Sequence, residues 1–137
     1  HNRREARYRN VLAEVISDLE RALERTMSAG VRWEQLIVDP GIGFGKTAEQ
    51  NLLLLRELAA LRVLGRPVLL GTSRKSTIGK VLDLPADERL EGTLATTALA
   101  IGSGVDVLRV HDVAANRRVA LMSDAIVRGG WSEEIDR

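Results

Sequence analysis

Apolar residues near the start of the chain recur at helical spacing. Five of them fall on one face between positions 8 and 27, with Glu and Arg between them: Leu12, Val15, Ile16, Leu19 and Leu23. Gly30 ends this predicted helix. A second predicted helix begins with a capping-box pattern, Thr47 at the N-cap and Gln50 three residues later, and Gly65 closes it. Its stripe consists of four leucines: Leu54, Leu55, Leu58 and Leu61.

Three short apolar runs predict buried strands, at positions 35–39, 66–71 and 105–112. The runs are continuous rather than alternating, which is typical of strands covered on both faces. Helices are predicted within "SRKSTIGKVL", at 87–103 and at 114–128, the last with Val119, Met122 and Ile126 on one side. The order α-β-α-β-α-α-β-α, with roughly 30 to 40 residues between strands, matches βα units of a parallel sheet. We therefore predict an α/β fold, as a single unit over positions 1–137.

Three strands do not close an α/β domain by themselves. Open parallel sheets usually have more strands, and a (β/α)₈ barrel has about 250 residues. At least one edge strand would expose unpaired backbone donors and acceptors. The pattern therefore indicates part of a larger α/β fold.

Composition removes several classes of function. The 137 residues carry a formal charge of +1, from 20 basic and 19 acidic residues, and only 3% are aromatic, so nothing favours a nucleic-acid or membrane partner. There is no cysteine, which excludes disulfides and thiolate metal sites. No apolar run approaches the ~20 residues of a membrane helix and no signal-peptide pattern opens the chain, so we predict a cytoplasmic protein. A chain that begins with His1 need not be a whole gene product.

Polar and ionisable residues follow each predicted strand. Asp39 ends the first, the segment 71–75 (Gly-Thr-Ser-Arg-Lys) ends the second, and Arg109 and His111 end the third. The carboxyl ends of parallel strands share one face, where ligands bind. Arg109 and His111 are two residues apart in a strand, so they point the same way and suit an anion such as phosphate.

Each of these residues also has a structural interpretation when taken alone. Asp39 precedes Pro40 and could satisfy a turn, Arg74 and Lys75 could be an exposed basic pair, and His111 could be a core or capping histidine. Two further residues have structural interpretations of their own: Asp112 stands where the last helix needs an N-cap, and Phe44 could pack its loop. The functional interpretation depends on the shared face.

The segment "DPGIGFGKT" resembles a P-loop only at first sight. A Walker motif needs a glycine five residues before the Gly-Lys-Thr glycine, but the residue five before Gly45 is Pro40. The glycines at 41, 43 and 45 also lack the G-x-G-x-x-G spacing of dinucleotide-binding folds. A helix N-cap is the simpler role for Thr47, and Lys46 has no predicted role.

Three segments taken together, "DPGIGFGKT", "GTSRKSTIG" and "LRVHDV", resemble the dihydropteroate synthase family in order and spacing. The resemblance implies a TIM (β/α)₈ barrel, of which this chain would be the C-terminal part: parallel strands six to eight with flanking helices. The opening "HN" is similar to the end of the family's "MHN" segment after strand five. The missing N-terminal half of the barrel is then an expected partner, and a homodimer contact through the last helices is expected as well.

The family condenses 4-aminobenzoate with 6-hydroxymethyl-7,8-dihydropterin pyrophosphate. By resemblance, Asp39 and Lys75 would bind the pterin ring, and the backbone at Gly71 would let the ring approach. Arg109 would cover the pterin face and, together with His111, hold the diphosphate. Lys75, Arg109 and His111 are thus the predicted catalytic residues. Two more residues, Ser73 and Phe44, would shape the 4-aminobenzoate site, with Ser73 at a helix start. The resemblance implies Mg²⁺ as cofactor, with its ligand on the missing half and none in this chain.

Two other hypotheses remain open. One is a methyltetrahydrofolate-type pterin-binding methyltransferase domain, although a diphosphate leaving group explains the cationic residues better than a methyl donor does. The other is a non-catalytic half-barrel that binds or assembles. The absence of the N-terminal strands predicts that the 137-residue chain alone is inactive or nearly so, and that its open sheet edge favours self-association.

Overall fold

The computed structural model describes residues 2–133, which form helices around a short parallel sheet. His1 of the "HN" segment lies outside the described residues. The α-helices are α1 Asn2–Ser28, α2 Ala48–Arg56, α3 Ser76–Leu82, α4 Leu90–Gly102 and α5 Val113–Val127, and the strands are β1 Leu69–Leu70 and β2 Val107–Leu108. Three 3₁₀ helices lie between them: Trp33–Gln35, Leu58–Leu64 and Ala86–Glu88. The predicted order of elements is confirmed.

The sheet places β1 between two parallel neighbours. β1 pairs with β2 in the register Leu69↔Val107 and Leu70↔Leu108. On its other side Val38 forms a single parallel bridge with Val68. The Val38 N–H donates to the Pro67 carbonyl at 3.0 Å. The chain therefore contributes three adjacent parallel segments, in the order 38, β1, β2.

The predicted strand boundaries were too generous. Gln35 belongs to a 3₁₀ turn rather than to the first strand, which is reduced to the bridge at Val38. Only Leu69–Leu70 and Val107–Leu108 pair as strands within the other two runs. Among residues 2–133, Val38 and β2 each have a strand partner on one side only. The predicted helix at 87–103 likewise begins as a 3₁₀ turn and becomes α-helical at Leu90.

Two of the three predicted apolar stripes contribute to the core. Leu54, Leu58 and Leu61 of the second stripe are 1–2% exposed. In the α1 stripe Leu23 is buried, whereas the other four predicted residues are partly buried and pack against the core: Leu12, Val15, Ile16 and Leu19. The Thr47 capping box is present, and Gly65 ends the 3₁₀ continuation with a φ of 70°. The stripe on α5 behaves differently, because Met122 and Ile126 are 63% and 71% exposed. No helix within residues 2–133 is long and apolar enough to cross a membrane.

Candidate active site

A small cavity opens at the carboxyl ends of β1 and β2. Its volume is about 100 Å³, and it is lined by residues from the two segments that follow these strands: Gly71, Ser73, Lys75, Arg109, Val110 and His111. The Arg109 N–H donates to the Leu70 carbonyl at 2.9 Å, which extends the β1–β2 pairing up to the cavity. Five of the seven predicted site residues are thus brought together, as the shared face of parallel strands predicts.

Ser73 and His111 join the two strand ends directly. The Ser73 hydroxyl lies 2.7 Å from His111 Nδ1, and the His111 backbone N–H donates to the same oxygen at 3.1 Å. Ser73 is buried, while His111 is exposed. A hydroxyl that accepts the backbone N–H and contacts Nδ1 fixes the imidazole and leaves Nε2 for a ligand. The prediction that Ser73 stands at a helix start was wrong, because α3 begins at Ser76 with Lys75 at its N-cap.

Lys75 connects this cavity to the glycine-rich segment. Its Nζ donates to the carbonyl of Ile42 and lies 4.7 Å from the centre of the Phe44 ring. Partial burial lowers the pKa of Lys75 below the ordinary lysine value of 10.5, and the carboxylate of Asp39 acts in the opposite direction, while Arg109 adds to the lowering. The charges at the other two strand ends, Asp39 and Arg109, therefore both affect Lys75.

Asp39 and Phe44 line a neighbouring cavity rather than the first one. This second cavity, of about 350 Å³, lies between α1 and the glycine-rich segment and also contacts Lys46. Asp39 is exposed, and its Oδ1 accepts a hydrogen bond from the Gly41 N–H at 2.8 Å. The turn-forming interpretation of Asp39 is thus correct for one oxygen. A carboxylate has further acceptor sites, so this bond does not prevent it from binding a ligand.

Arg74 and Lys75 point in different directions, so they do not form the exposed basic pair that was one interpretation of the sequence. Arg74 has a left-handed φ of 59°, and its guanidinium donates to Asp112 Oδ1 at 2.9 Å. Asp112 occupies the N-cap position of α5, but its side chain makes no capping hydrogen bond and pairs with Arg74 instead. An exposed pair of this kind contributes little to stability, so its main effect is to orient Arg74 away from Lys75.

A set of hydrogen-bonded polar residues, all but Thr96 buried, was not predicted from the sequence. Six of them form three connections: Asn51 with Thr77 at 3.1 Å, Thr72 with Thr96 at 2.6 Å, and Thr97 with Asn116 at 2.7 Å. Thr93 adds a fourth, since its hydroxyl accepts the Arg74 N–H at 3.2 Å. The sequence indicates these contacts only through the three threonines of the "GTLATTALA" segment, because a search for apolar periodicity does not count threonine.

The strand-end cavity does not fit a divalent metal ion. Mg²⁺ prefers carboxylate and carbonyl oxygens, whereas the ionisable groups here are Lys75, Arg109 and His111. Over the described part of the chain, no three His, Cys, Asp or Glu side chains are grouped as metal ligands.

A larger cavity lies elsewhere, on the outer face of α5. It has a volume of about 840 Å³ and is lined largely by apolar side chains, including Leu121, Met122 and Trp131. It holds none of the predicted site residues. Because its walls offer little convergent polar chemistry, we interpret it as an uncovered packing surface and not as an active site.

Comparison with known proteins shows the family of this chain. The family model described as "Pterin binding enzyme" matches residues 1–111. The chain belongs to the pterin-binding enzyme family. The match includes all three motif segments up to His111, and the resemblance to dihydropteroate synthases is confirmed.

Two curated relatives show what this pterin-binding chain is similar to. It is 50% identical to the dihydropteroate synthase of Clostridium beijerinckii over 129 residues, which is 93% of this chain and 48% of the relative. It is 48% identical over 118 residues to a Mycobacterium tuberculosis protein named inactive dihydropteroate synthase 2, covering 86% of this chain and 37% of the relative. The chain thus spans about half or less of the length of these curated relatives.

A solved structure gives the same picture for the fold. The dihydropteroate synthase of Clostridium difficile, determined in the presence of pteroic acid, superposes with a TM-score of 0.85 and 52% identity. The superposition covers 86% of this chain and 45% of that one. The α/β arrangement of this pterin-binding chain therefore corresponds to part of a larger known fold.

Proposed function

We propose that this chain forms the C-terminal part of a dihydropteroate synthase TIM barrel, as strands six to eight with their helices over positions 1–137. The parallel order of Val38, β1 and β2 supports this placement. The complete protein would join 4-aminobenzoate to 6-hydroxymethyl-7,8-dihydropterin pyrophosphate. The products would be 7,8-dihydropteroate and pyrophosphate, in folate biosynthesis.

The observation that carries the proposal is the meeting of Lys75, Arg109 and His111 in one cavity at the strand ends. Three cationic or proton-bearing groups on two adjacent strands suit a diphosphate, since guanidinium and ammonium groups bind phosphate oxygens strongly. Asp39 supplies the opposite charge at the neighbouring strand end. Its carboxylate would accept N–H groups from the pterin edge through the acceptor sites that the Gly41 N–H does not occupy.

The reaction then follows from charge. The C–O bond to the diphosphate breaks, the electron pair leaves with the pyrophosphate, and positive charge grows on the pterin. Arg109 and His111 would stabilise the leaving group, while Asp39 would favour the cationic ring. The amine nitrogen of 4-aminobenzoate forms the new C–N bond and loses a proton, so no protein nucleophile is needed.

The remaining site residues would shape the substrates' surroundings. Gly71 would give the ring access to the backbone, and Phe44 would contact 4-aminobenzoate through its exposed ring. Ser73 would act mainly by fixing His111, because its hydroxyl contacts that residue twice. The Mg²⁺ of the family would have its ligands outside this chain.

The partners follow from the same placement. The N-terminal half of the barrel would pair with the outer edges of Val38 and β2. A homodimer contact through the last helices would cover exposed apolar residues of α5 such as Met122 and Ile126. A cytoplasmic location remains a prediction.

A second candidate is a non-catalytic pterin-binding barrel. It is favoured by one observation: at 48% identity the relatives include both a protein named dihydropteroate synthase and a protein named inactive dihydropteroate synthase 2. Overall identity at this level does not separate the two, so the site itself must be tested. The cationic cluster of Lys75, Arg109 and His111 favours the synthase, and also favours it over a methyltransferase.

The test is a hybrid in which this chain replaces the matching segment of the C. beijerinckii synthase. We expect the hybrid to restore growth of a cell that lacks its own dihydropteroate synthase. Asp39→Ala and Lys75→Ala should each lower kcat/KM by at least about tenfold, because each removes a charged hydrogen-bonding group. Asp87→Ala and Lys80→Ala, at exposed positions, are the matched controls. Unimpaired rescue by both site variants would contradict the proposal, and an inactive but folded hybrid would favour the second candidate. The 137-residue chain alone should form no detectable 7,8-dihydropteroate.

A further inference from the structure

Lys46 has no role in the site described above, yet its ammonium group is built into the glycine-rich loop, residues 41–45. Lys46 Nζ donates to the carbonyl of Gly41 at 2.9 Å and to the carbonyl of Phe44 at 3.0 Å. The Phe44 N–H in turn donates to the Gly41 carbonyl at 3.1 Å, so the loop closes on itself around one lysine. The ammonium thus fixes both ends of the turn that carries Phe44.

The opposite side of the same loop is held by a buried amide. Asn51 is 2% exposed, and its Oδ1 accepts the Gly43 N–H at 3.1 Å while its Nδ2 donates to Thr77. Lys75 Nζ donates a further hydrogen bond to the carbonyl of Ile42. Gly41, Gly43 and Gly45 all have left-handed φ values, between 62° and 87°. Glycine adopts many other conformations as readily, so the loop depends on these hydrogen bonds to keep its shape.

Close packing links the loop to Lys75. A Cβ added to Gly43 would lie 3.0 Å from Lys75 Cδ, so the loop backbone packs closely against the aliphatic part of the Lys75 side chain. Phe44 is 69% exposed, and its ring lies above the Lys75 ammonium. Burial lowers the pKa of Lys46, whereas Asp39 acts in the opposite direction, as expected for an ammonium that has exchanged water for carbonyl partners.

We propose that Lys46 is a positioning residue that holds the 41–45 loop so that Phe44 presents its ring to the aromatic amine substrate. This deepens the proposed function and rests on it. Lys46 lines the cavity that holds Asp39 and Phe44, but not the strand-end cavity. Because its ammonium bonds the carbonyl of Phe44 itself, its loss should weaken binding of 4-aminobenzoate more than binding of the pterin substrate. The chemical step, which depends on Arg109 and His111, should change little.

Hydrogen exchange on the 137-residue chain tests the loop without any assay of activity. Lys46→Met keeps the stem and removes the donors, and we expect exchange at the Phe44 amide to rise about tenfold, as loss of a hydrogen-bonded support allows. Lys46→Arg should restore part of the protection. Lys80→Met, at an exposed position of α3, should leave it unchanged. Unaltered exchange in Lys46→Met would overturn the proposal.

Kinetics of the hybrid enzyme test the consequence for the substrate. Lys46→Met should raise KM for 4-aminobenzoate about tenfold, with kcat and KM for the pterin substrate within about twofold of the parent. A fall in kcat alone, or an equal rise in both KM values, would refute the assignment to the amine substrate. If the hybrid is inactive with Lys46 in place, the proposed function fails, and the exchange experiment still decides whether Lys46 holds the loop.

Discussion

The buried pair Thr97–Asn116 gives a test of the scaffold under the site that does not depend on function. Thr97 Oγ1 donates to Asn116 Oδ1 at 2.7 Å, between α4 and α5, and the two residues are 1% and 2% exposed. Asn116 Nδ2 also donates to the carbonyl of Asp112, the residue after His111. The perturbations are Thr97→Val, Asn116→Ala and the double variant.

The magnitudes follow from which polar atoms lose their partners. Thr97→Val leaves Asn116 Oδ1 buried without its donor and should cost about 1–3 kcal/mol. Asn116→Ala leaves the Thr97 hydroxyl without its acceptor and opens a small cavity, about 2–4 kcal/mol. The Asp112 carbonyl keeps one partner in that variant, because the backbone N–H of residue 116 also donates to it. The double variant should cost about 1–2 kcal/mol less than the sum of the two single variants. Both the Thr97 hydroxyl and Asn116 Oδ1 are then removed, so neither is left buried without its partner.

The assay is urea unfolding of the 137-residue chain followed by circular dichroism, with the slope compared between variants. Thr26→Val is the matched control, because the Thr26 hydroxyl bonds only the Ala22 carbonyl of its own helix. That change should alter the unfolding free energy by less than about 0.5 kcal/mol. Strictly additive costs for Thr97 and Asn116, or a Thr97→Val cost equal to the control, would refute the reasoning.

Two further predictions concern the site. Gly71→Ala should leave the fold intact, because the new Cβ would lie 3.8 Å from Arg109 Cβ, an ordinary contact that thermal unfolding would confirm. If the pterin ring packs against Gly71, the same change should lower kcat/KM of the hybrid by about tenfold or more, as measured by steady-state kinetics. The ammonium of Lys75 should lose its proton below pH 10.5, so KM for the pterin substrate should rise as pH increases through that lowered pKa. Asp39→Asn removes the negative charge that raises the pKa of Lys75, so the rise in KM should move to lower pH. Lys75→Arg should abolish the rise in KM across the same pH range. A rise in KM that neither change affects would contradict the assignment.

Apolar periodicity predicted the helices of this fold well, although the stripe on α5 is largely exposed. The stripe at Leu54, Leu58 and Leu61 is buried, and the Thr47 capping box is present where it was predicted. Strand lengths were predicted poorly. A strand's extent depends on which backbone groups pair across strands, and an apolar run does not report this; β1 and β2 pair over only two residues each.

The strand-end cluster could also be predicted, because parallel strands bring their carboxyl ends to one face whatever lies between them. The contacts within the cluster could not. Arg74 and Lys75 are neighbours in sequence, but the left-handed backbone at Arg74 turns one toward Asp112 and leaves the other facing Ile42. Lys46 was left without a role for a related reason: its partners are backbone carbonyls, and no side-chain pattern marks them.

The size of the strand-end cavity bears on what this chain does alone. Sites for small molecules usually enclose about 300–1,000 Å³, whereas the cavity beside Lys75, Arg109 and His111 has about 100 Å³. A bicyclic ring with a diphosphate cannot be enclosed by these residues, so they form one wall of a pocket and not the whole. The neighbouring cavity at Asp39 lies between α1 and the glycine-rich segment, and within residues 2–133 Val38 has a strand partner on one side only. In the proposed synthase, water reaching a half-formed pocket would weaken the electrostatic stabilisation that the cationic residues provide. This chain would hold Lys75, Arg109 and His111 in place, and strands paired with its two outer edges would complete the pocket.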